Sequence, residues 1–318
     1  MSTRSGPGDG MPDASLDLIM SERRHLINLA YRLLGSLTEA EDAVQETYTR
    51  WYGMSRQQQD AIESPAAWLT TVASRICLDQ LGSARVRRER YVGEWIPEPL
   101  PDPAEWISGS QGDIAADPAD RVTLDESVSM AFLVVLESMT PAERVAFVLH
   151  DVFRYSFAEV ADITGRTPAA CRQLASSARR RVGASRPAAA SAASASSAAV
   201  RQAAIIRDFK RAWEAGDIDA VVGLLDPGVT VVADGGGQVS AALHPIEGRY
   251  EVARYAVGLA KLVTGLTFVE RTVNGQPGLV AQQDGVNVTV FAFDIAGDQI
   301  TRIWAVRNPD KLRPWTTG

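Results

Sequence analysis

The chain has 318 residues, of which 46% are hydrophobic and 22% charged, so it is long enough for two domains or one large one. Its formal net charge of −7, taken alone, argues against a nucleic-acid binder. No apolar run approaches the roughly 18 residues of a membrane span, so we expect no membrane segment. The two cysteines, Cys77 and Cys171, fit neither a disulfide framework nor a metal site, which predicts a cytoplasmic protein.

The charges are segregated along the chain. Residues 1–190 contain 20 Arg, no Lys and 26 acidic residues. Five Arg lie between residues 75 and 90 and six between residues 163 and 186, whereas residues 94–126 carry nine acids against one Arg. A single charge run is usually a solvated helix face. Two clusters made only of Arg suit bidentate contacts with phosphate and guanine, and they favour two DNA-contacting elements joined by an acidic connector.

Composition and hydrophobic spacing divide the chain into successive segments. In chain order they are a disordered leader (1–14), a helical domain (15–92), an acidic Pro-rich linker (93–123), a second helical domain (124–183), an Ala/Ser linker (184–199) and an α+β domain (200–318). The Ala/Ser linker contains 14 Ala or Ser among its 16 residues. This composition fits either a flexible connection or an extension of the preceding helix.

The first helical domain carries clear helix-start signals. Thr38 with Glu41 three residues later predicts a capping box that opens its second helix. Residues 53–63 are polar and predict a loop. Ser64 followed by Pro65 then predicts an N-cap and a first helical residue, which start a third helix that runs into the first Arg cluster.

The second helical domain ends in a predicted helix-turn-helix. Ser156 and Glu159 form a capping box for a short helix, Gly165 ends it, and Pro168 begins a longer basic helix. Many helical hairpins give this pattern, but the Arg enrichment favours DNA binding, with the second helix in the major groove. Cys171, with Ala175 and Ala178, is expected to face the partner helix. The predicted DNA-contacting residues are Arg166, Thr167, Arg172, Gln173, Ser176, Arg179 and Arg180.

Beyond residue 200 the pattern changes from helical to alternating. An amphipathic helix over 200–215 and a short helix up to Leu225 precede several Val/Phe/Ile-rich segments. The predicted strands are 229–233, 266–273, 279–282, 286–294 and 300–306, with a helix over 251–263 among them. This order predicts an α+β domain with a curved antiparallel sheet.

Three motifs in order make residues 16–183 resemble a bacterial sigma factor of the extracytoplasmic-function (ECF) type. Residues 39–46 (EAEDAVQE) resemble the helix that binds core RNA polymerase, residues 68–73 (WLTTVA) with Asp79 resemble the helix that recognises and melts the −10 element, and residues 140–182 resemble the domain that reads the −35 element. The resemblance implies two partners, core RNA polymerase (clamp and flap regions) and promoter DNA. It also implies two all-α sigma domains, a helical bundle and a helix-turn-helix.

The resemblance assigns functional residues in the first domain. The implied polymerase-binding residues are Asp42, Gln45, Glu46 and Arg50. The implied −10 residues are Trp68, Thr71, Ser74, Arg75 and Asp79, with Trp68 as structural support and base contacts from the 53–64 loop and the exposed Thr71, Ser74 and Arg75. Arg75 stands where the family usually has Asn, which leaves the −10 base preference open.

Residues 200–312 resemble a SnoaL-like domain, a cone-shaped α+β fold that some ECF sigma factors, the sigma-factor-J type, carry at the C-terminus. Three motifs accompany this architecture and are implied to form a regulatory interface. They contain Trp95, Pro97, Glu98 and Pro99; Asp234, Gly235, Gly236, Gly237 and Gln238; and Asn308, Pro309, Asp310, Lys311 and Leu312. Gln238 stands where the family usually has Lys. The resemblance implies that the extension controls the sigma factor in place of a membrane anti-sigma factor, and we expect a monomer when free.

Two alternatives remain for the C-terminal domain. It would be a small-molecule enzyme of cyclase or isomerase type if Asp234, His244 or Asp294 performed acid–base chemistry in a pocket lined by Tyr255 and Trp304. It would be a sensor if a small molecule bound there and released the sigma domains. The Gly235–Gly237 run lacks the spacing and following helix of a nucleotide-binding fingerprint. We therefore expect no catalytic residue, no cofactor and no metal ion, and favour regulation over catalysis.

Overall fold

The computed structural model of the protein describes residues 13–88, 91–102, 128–185 and 192–316. The predicted leader up to residue 12 and most of the acidic linker lie outside the described residues. Among the residues that the model describes, no helix has both the length and the apolar composition needed to cross a membrane.

The first domain is a helical bundle in which the N-cap of α2 lies two residues before the predicted one. Its helices are α1 (Asp13–Leu34), α2 (Leu37–Tyr52), α3 (Arg56–Asp60) and α4 (Pro65–Arg88). The predicted start of α2 at Thr38 is wrong, because the Ser36 hydroxyl accepts the Glu39 N–H at 3.3 Å and is the N-cap. Leu37 is buried, so its packing favours the earlier start.

The predicted loop at 53–63 contains the short helix α3, which is a second correction. Ser55 and Gln58 form a reciprocal capping box there. No residue of α3 is buried, so the helix depends on its cap rather than on an apolar face, and no apolar period marked it in the sequence.

The second domain confirms the predicted helix-turn-helix. It contains α5 (Met130–Glu137), α6 (Pro141–Phe147), a π-helical turn (Val148–Val152), α7 (Phe157–Thr164) and α8 (Pro168–Ser185). The Ser156–Glu159 capping box opens α7, and Gly165 ends it with φ +63°, a left-handed conformation that glycine adopts without strain. Cys171 is fully buried, as predicted from its position on α8.

The two helical domains share one continuous core, so they pack as a unit. Helix α4 lies against α6 and α7. At this interface the Tyr155 hydroxyl donates to Thr70 Oγ1 at 3.1 Å. The buried Arg144 guanidinium donates to the Leu33 carbonyl at 2.8 Å and pairs with Glu137 at 2.6 Å. These directional contacts lie inside an apolar interface, and they specify how the domains meet.

The C-terminal domain is a six-stranded sheet with helices on one face. Its elements are α9 (Ala192–Ala215), α10 (Ile218–Leu224), β1 (Leu225–Asp234), β2 (Ile246–Glu247), α11 (Arg249–Leu262), β3 (Leu266–Val273), β4 (Gln276–Gln283), β5 (Val286–Ala296), β6 (Gln299–Val306) and a 3₁₀ helix (Pro309–Trp315). The Ala/Ser linker thus supplies the last residues of α8 and the first of α9, and residues 186–191 between them lie outside the description.

The sheet has the order β2-β1-β6-β5-β4-β3, and the prediction of a wholly antiparallel sheet is wrong for one pair. Strands β3 to β6 form an antiparallel meander, but β6 then lies parallel to β1, with Asp234 opposite Val306. The alternation of apolar and polar residues along a strand shows which side chains lie on the same face of the sheet. It does not show whether the neighbouring strand runs parallel or antiparallel.

The two faces of this sheet bury different partners. One face packs on α9 and α11 and contains the domain core, with Phe209, Trp213 and Phe291. The other face packs on the linker and the 3₁₀ helix through a separate cluster that includes Ile96 and Met130. Because strand residues alternate between faces, one strand serves both surfaces.

Candidate nucleic-acid and regulatory interfaces

The predicted polymerase-binding residues lie together on the exposed face of α2. Asp42, Gln45, Glu46 and Arg50 are all exposed, and Arg50 forms an ion pair with Glu46 one turn earlier. The opposite face of α2 is buried in the core through Ala40, Ala43, Val44 and Thr47. The helix therefore presents a polar, mostly acidic surface suited to basic groups on a partner, and its role in binding polymerase stays a prediction.

The predicted −10 residues differ in exposure because part of the surface of α4 is packed against other helices. Asp79 is exposed and Thr71 is half-buried, whereas Ser74 is fully buried, so its predicted exposure is wrong. Ser74 lies one turn after Thr70, on the face that meets the second domain. Trp68 is half-buried and packs on Trp51 with ring centroids 5.3 Å apart, which fits structural support.

Arg75 is exposed but already has protein partners. Its Nη2 donates to the Asp162 carbonyl at 2.7 Å, and its Nε donates to the Ile163 carbonyl at 3.4 Å. Both carbonyls belong to the last turn of α7, where a helix C-terminus favours positive charge. A residue predicted to contact the −10 element therefore holds the second helical domain in this conformation.

The predicted −35 residues form one exposed surface. All seven are exposed: Arg166, Thr167, Arg172, Gln173, Ser176, Arg179 and Arg180. Arg179 pairs with Asp151 at 2.6 Å, and the Arg172 guanidinium lies 5.5 Å from the centre of the Phe157 ring. Within the described parts of the chain, Arg166 and Arg180 have no acidic partner, so they remain available for phosphate.

A buried carboxylate lies where the three motifs of the predicted regulatory interface meet, one from the linker and two from the C-terminal domain. Asp234 is 0% exposed. Its Oδ1 accepts the Tyr91 hydroxyl at 2.6 Å and the Gly236 N–H at 3.0 Å, while its Oδ2 accepts the Ile96 N–H at 3.0 Å and Lys311 Nζ at 2.6 Å. A buried charge is costly unless it is paired and hydrogen-bonded, and here four donors, one of which is the Lys311 cation, meet that need.

Two aromatic rings, Trp95 of the linker and Tyr91 just before the linker, lie beside the Lys311 ammonium. It lies 4.1 Å from the ring centre of Trp95 and also donates to the Ile96 carbonyl. A desolvated cation over a tryptophan face is favourable. Burial raises the pKa of Tyr91, and its hydrogen bond to Asp234 raises it further, so the hydroxyl stays protonated as a donor. The linker is thus held by the C-terminal domain at Trp95 and Ile96.

The glycine loop allows the backbone to approach Asn308 closely. Gly236 has φ +63°, and a Cβ built there would lie 2.5 Å from Asn308 Cγ. Asn308 Nδ2 donates to the Tyr91 hydroxyl at 2.8 Å. Gly235 has no room for a Cβ beside the Val239 carbonyl, and Gly237 packs on Val92. Glycine is therefore needed for contact rather than for flexibility.

The remaining motif residues divide between buried and exposed positions. Pro97, Pro99 and Leu312 are buried, whereas Pro309 and Asp310 are exposed. Gln238 Nε2 donates to Asp310 Oδ2 at 2.8 Å, so the residue that replaces the family's lysine keeps a neutral contact with the third motif. That hydrogen bond, with Arg313, lowers the pKa of Asp310.

Glu98 connects the linker to the first helical domain. It is 2% exposed, and its Oε2 accepts the Leu37 N–H at 2.8 Å and the Ser36 hydroxyl at 3.0 Å. The carboxylate thereby caps the N-terminus of α2, where negative charge is favoured. Burial raises the pKa of Glu98, although these hydrogen bonds oppose the shift.

Two substitutions of Glu98 distinguish the destabilising effect of its buried charge from the stabilising effect of its hydrogen bonds. We expect Glu98→Ala to destabilise the protein by about 1–3 kcal/mol, because buried donors lose their acceptor. Glu98→Gln keeps an acceptor without charge. Since the raised pKa means that the charged form is disfavoured, stability from this site is greatest below the ordinary value of 4.5 and falls as pH rises through the raised value. Urea unfolding at several pH values should show the glutamine variant at least as stable as wild type at neutral pH; equal losses in both variants would contradict this.

Several residues of the interface were not predicted from the sequence. Tyr31 donates to the Glu98 carbonyl at 2.6 Å and accepts from Asn274 Nδ2 at 2.8 Å, while Trp315 Nε1 donates to the Pro99 carbonyl at 2.9 Å. Asn274 has φ +50° and precedes Gly275, so it reads as an ordinary hairpin turn. These residues were not predicted because each lies far in sequence from its hydrogen-bond partner.

The structure does not bring the catalytic candidates together. Asp234 and Trp304 are buried on the face of the sheet that meets the linker, and His244 is exposed in the segment before β2. Asp294 lies on β5 opposite Arg302, and burial raises its pKa. Of the five candidates, Tyr255 alone lines the cavity on the helix-covered face. The five candidates therefore do not form one site.

Comparisons with known proteins agree with this geometry. Residues 18–87 match the family model Sigma-70 region 2, and residues 129–182 match Sigma-70, region 4. The chain is 39% identical over 300 residues to the ECF RNA polymerase sigma factor SigJ of Mycobacterium tuberculosis, covering 91% of this chain and 90% of that one. It is 36% identical over 298 residues to the probable ECF RNA polymerase sigma factor SigI of the same species, covering 92% and 93%.

A solved structure extends the similarity to the whole architecture. The crystal structure of M. tuberculosis extracytoplasmic function sigma factor SigJ is similar to this chain with a TM-score of 0.71 and 34% identity, covering 94% of this chain and 98% of that one. The match includes the C-terminal SnoaL-like domain as well as both helical domains. The protein therefore belongs to the ECF RNA polymerase sigma factors, non-enzymatic transcription initiation factors, and is of the SigJ type with a fused SnoaL-like domain.

Proposed function

We propose that this sigma factor directs core RNA polymerase to promoters with separated −35 and −10 elements and that its SnoaL-like domain restrains it in a closed state. The observation that carries the restraint is the fully buried Asp234, whose four donors come from Tyr91 just before the linker, the linker itself, the glycine loop and the third motif. The exposed face of α2 is proposed to bind the polymerase clamp, with the flap as the contact of the second helical domain.

The closed state covers one DNA-binding surface and leaves the other open. The residues Ser74 and Arg75 of α4 are covered or occupied by the second domain, whereas the basic face of α8 is exposed. Promoter melting needs access to α4 for unstacked bases. The second domain must therefore leave α4 before the −10 element can bind.

The C-terminal domain is placed to resist this opening. Ile96, before the undescribed part of the linker, and Met130, after it, both belong to the apolar cluster on one sheet face. Ile96 of the linker and Met130, the first residue of α5 in the second helical domain, are thus anchored to the same surface. Because the linker joins the two helical domains, its anchoring limits how far they can separate, and release at Asp234 would free both.

The promoter assignment is tested by run-off transcription. Full-length protein with core polymerase should form open complexes on a promoter of its own operon. Failure of both the wild-type protein and the Asp234→Asn variant, in which the proposed restraint is broken, on every promoter tried, including that one, would contradict the function.

The −35 surface should respond in two distinguishable ways. We expect Arg172→Ala to weaken promoter binding of the holoenzyme by about 1–3 kcal/mol with changed preference at one −35 base pair, because an arginine that contacts a base edge carries specificity. Arg180→Ala should weaken binding to all sequences and reduce the salt dependence, because it removes one phosphate contact. Binding at several salt concentrations separates the two, with the exposed Arg211→Ala of α9 as a control that changes neither.

The contact from Arg75 should stabilise the closed state. We expect Arg75→Ala to shift the free protein toward open forms by about 1 kcal/mol, because two hydrogen bonds to a helix C-terminus are lost at a partly exposed site. Fluorescence energy transfer between dyes on the two helical domains measures the separation. Asp79→Asn on the same helix is the matched control, and an unchanged distance distribution in Arg75→Ala would refute the contact's role.

A further inference from the structure

A cavity of about 110 Å³ lies between the sheet and helices α9 and α11, on the face opposite the linker. Aromatic and aliphatic side chains form most of its wall, including Phe209, Trp213 and Phe291. The Trp213 indole is already satisfied, since its Nε1 donates to the Ala256 carbonyl at 2.6 Å. Dry apolar cavities of about 150 Å³ bind benzene, so this one is of the size for a single ring.

The polar groups of the cavity lie toward one end of the sheet. Thr289 and Gln283 occupy the start of β5 and the end of β4, and Arg307 follows the end of β6. Val290 pairs with Val306, so Thr289 and Arg307 occupy the next opposed positions of the two strands. Among the hydrogen bonds of the described residues, none is made by the side chains of Tyr255, Gln283 or Thr289, although Thr289 is only 5% exposed. This end is therefore rich in unused donors.

The described residues that line the cavity include a positive side chain and no negative one. Arg307 is its charged residue, and no acidic residue is found among the described residues that line it. The Arg307 guanidinium donates to the Ser240 carbonyl and, within the described chain, has no carboxylate partner. A guanidinium beside hydroxyl and amide groups matches a planar carboxylate, which accepts two parallel hydrogen bonds.

Arg307 also belongs to the regulatory interface. Its backbone N–H donates to the Asp234 carbonyl at 2.7 Å, and the next residue, Asn308, contacts Gly236. Ser240 lies in the segment that continues from the glycines. A carboxylate on the guanidinium would replace a neutral carbonyl acceptor by a charged one, which makes the stronger hydrogen bond. Binding in the cavity would therefore detach the loop that supports Asp234.

We propose that the cavity binds a small aromatic carboxylate through Arg307 and that binding releases the glycine loop and the linker. The release rests on the proposed restraint by the SnoaL-like domain, whereas the binding itself does not. A ligand shifts a conformational equilibrium only by its difference in affinity for the two states, and the exchange of Ser240 for the ligand at Arg307 supplies that difference.

Binding is tested on the full-length protein with benzoate as the probe, followed by Trp fluorescence and thermal shift. Benzyl alcohol has the ring without the charge, and acetate has the charge without the ring. We expect benzoate to bind at least about tenfold more tightly than either, and Arg307→Gln to remove that advantage. Arg302→Gln, on β6 five residues before Arg307 and outside the cavity lining, is the matched control and should leave benzoate affinity within about twofold.

A second variant tests the cavity independently, in case Arg307→Gln does not fold. Ala281→Leu fills the cavity from β4 while Arg307 stays intact, and it should abolish benzoate binding. Equal affinities for benzoate and benzyl alcohol, or benzoate binding unchanged in both variants, would overturn the proposal.

Release is measured by amide hydrogen exchange of residues 91–101 with and without saturating benzoate. Faster exchange with benzoate supports release, and unchanged exchange despite binding overturns it. Asp234→Asn provides the separate test of the restraint. If that variant frees the linker but benzoate does not bind, the ligand inference fails and the proposed function stands; if benzoate binds but Asp234→Asn frees nothing, the restraint fails and the binding site stands.

Discussion

Asp234→Asn is expected to detach the linker from the C-terminal domain. The substitution leaves the buried Lys311 ammonium without its counter-charge and turns an amide NH₂ toward groups that are themselves donors. Breaking one side of a buried pair costs about 3–5 kcal/mol, which corresponds to at least about a hundredfold increase in the open population. Amide exchange at Ile96, whose N–H donates to Asp234, reports this directly in the full-length protein.

Two variants make the Asp234 result specific. Asp310→Asn removes an exposed carboxylate of the same interface, paired with Arg313 at 2.7 Å, and should cost no more than about 1 kcal/mol. Asp234→Asn with Lys311→Met removes both buried charges and should recover part of the loss, because the stranded cation is gone. Unchanged exchange at Ile96 in the single variant would show that the pair does not hold the linker. In transcription, the detached variant should initiate more than wild type.

Gly236→Ala is the second large expected effect, and Gly297→Ala is its matched control. Both glycines have left-handed backbones, with φ +63° and +61°. An alanine at either position incurs the conformational cost of about 1–2 kcal/mol. At Gly297 a Cβ meets nothing within 4 Å, whereas at Gly236 it would lie 2.5 Å from Asn308. We therefore expect Gly236→Ala to cost at least about 1–3 kcal/mol more, because Asn308 must move and release Tyr91.

Urea unfolding measures the difference between the free energies of unfolding of the two glycine variants. Because both positions have similar left-handed backbones, the cost of backbone strain cancels in that difference. Exchange at Ile96 should rise in Gly236→Ala and stay at the wild-type value in Gly297→Ala. Equal stability losses in the two variants would show that the close approach to Asn308 contributes nothing to docking.

Local signals in the sequence predicted the helix-turn-helix well. The Ser156–Glu159 capping box, Gly165 and Pro168 act within a few residues of one another, and the structure has each of them in the expected role. The start of α2 was predicted wrongly because two competing caps, Ser36 and Thr38, lie close together. The burial of Leu37 decides between them, and burial is a tertiary property.

Errors at longer range have a common cause. Ser74 was expected to be exposed, yet it is fully buried on α4, a helix that packs on the second domain as well as on α1 and α2. The parallel pairing of β1 with β6 joins strands that are separated by α11 and three strands of a meander. Neither hydrophobic period nor turn chemistry reports contacts between such distant segments.

By itself the sequence determined the domain order, the resemblance to an ECF sigma factor and the residues of each motif, because capping, periodicity and motif spacing are properties of neighbours in the chain. It also showed that a net charge of −7 hides two Arg clusters around an acidic connector. Only the tertiary structure decided that Arg75 holds the second helical domain and that Asp234 and Lys311 form a buried pair against the linker. The physical reason is that desolvation and charge pairing depend on which groups meet in space, and the linker, the glycine loop and the chain end meet only after all three domains have packed.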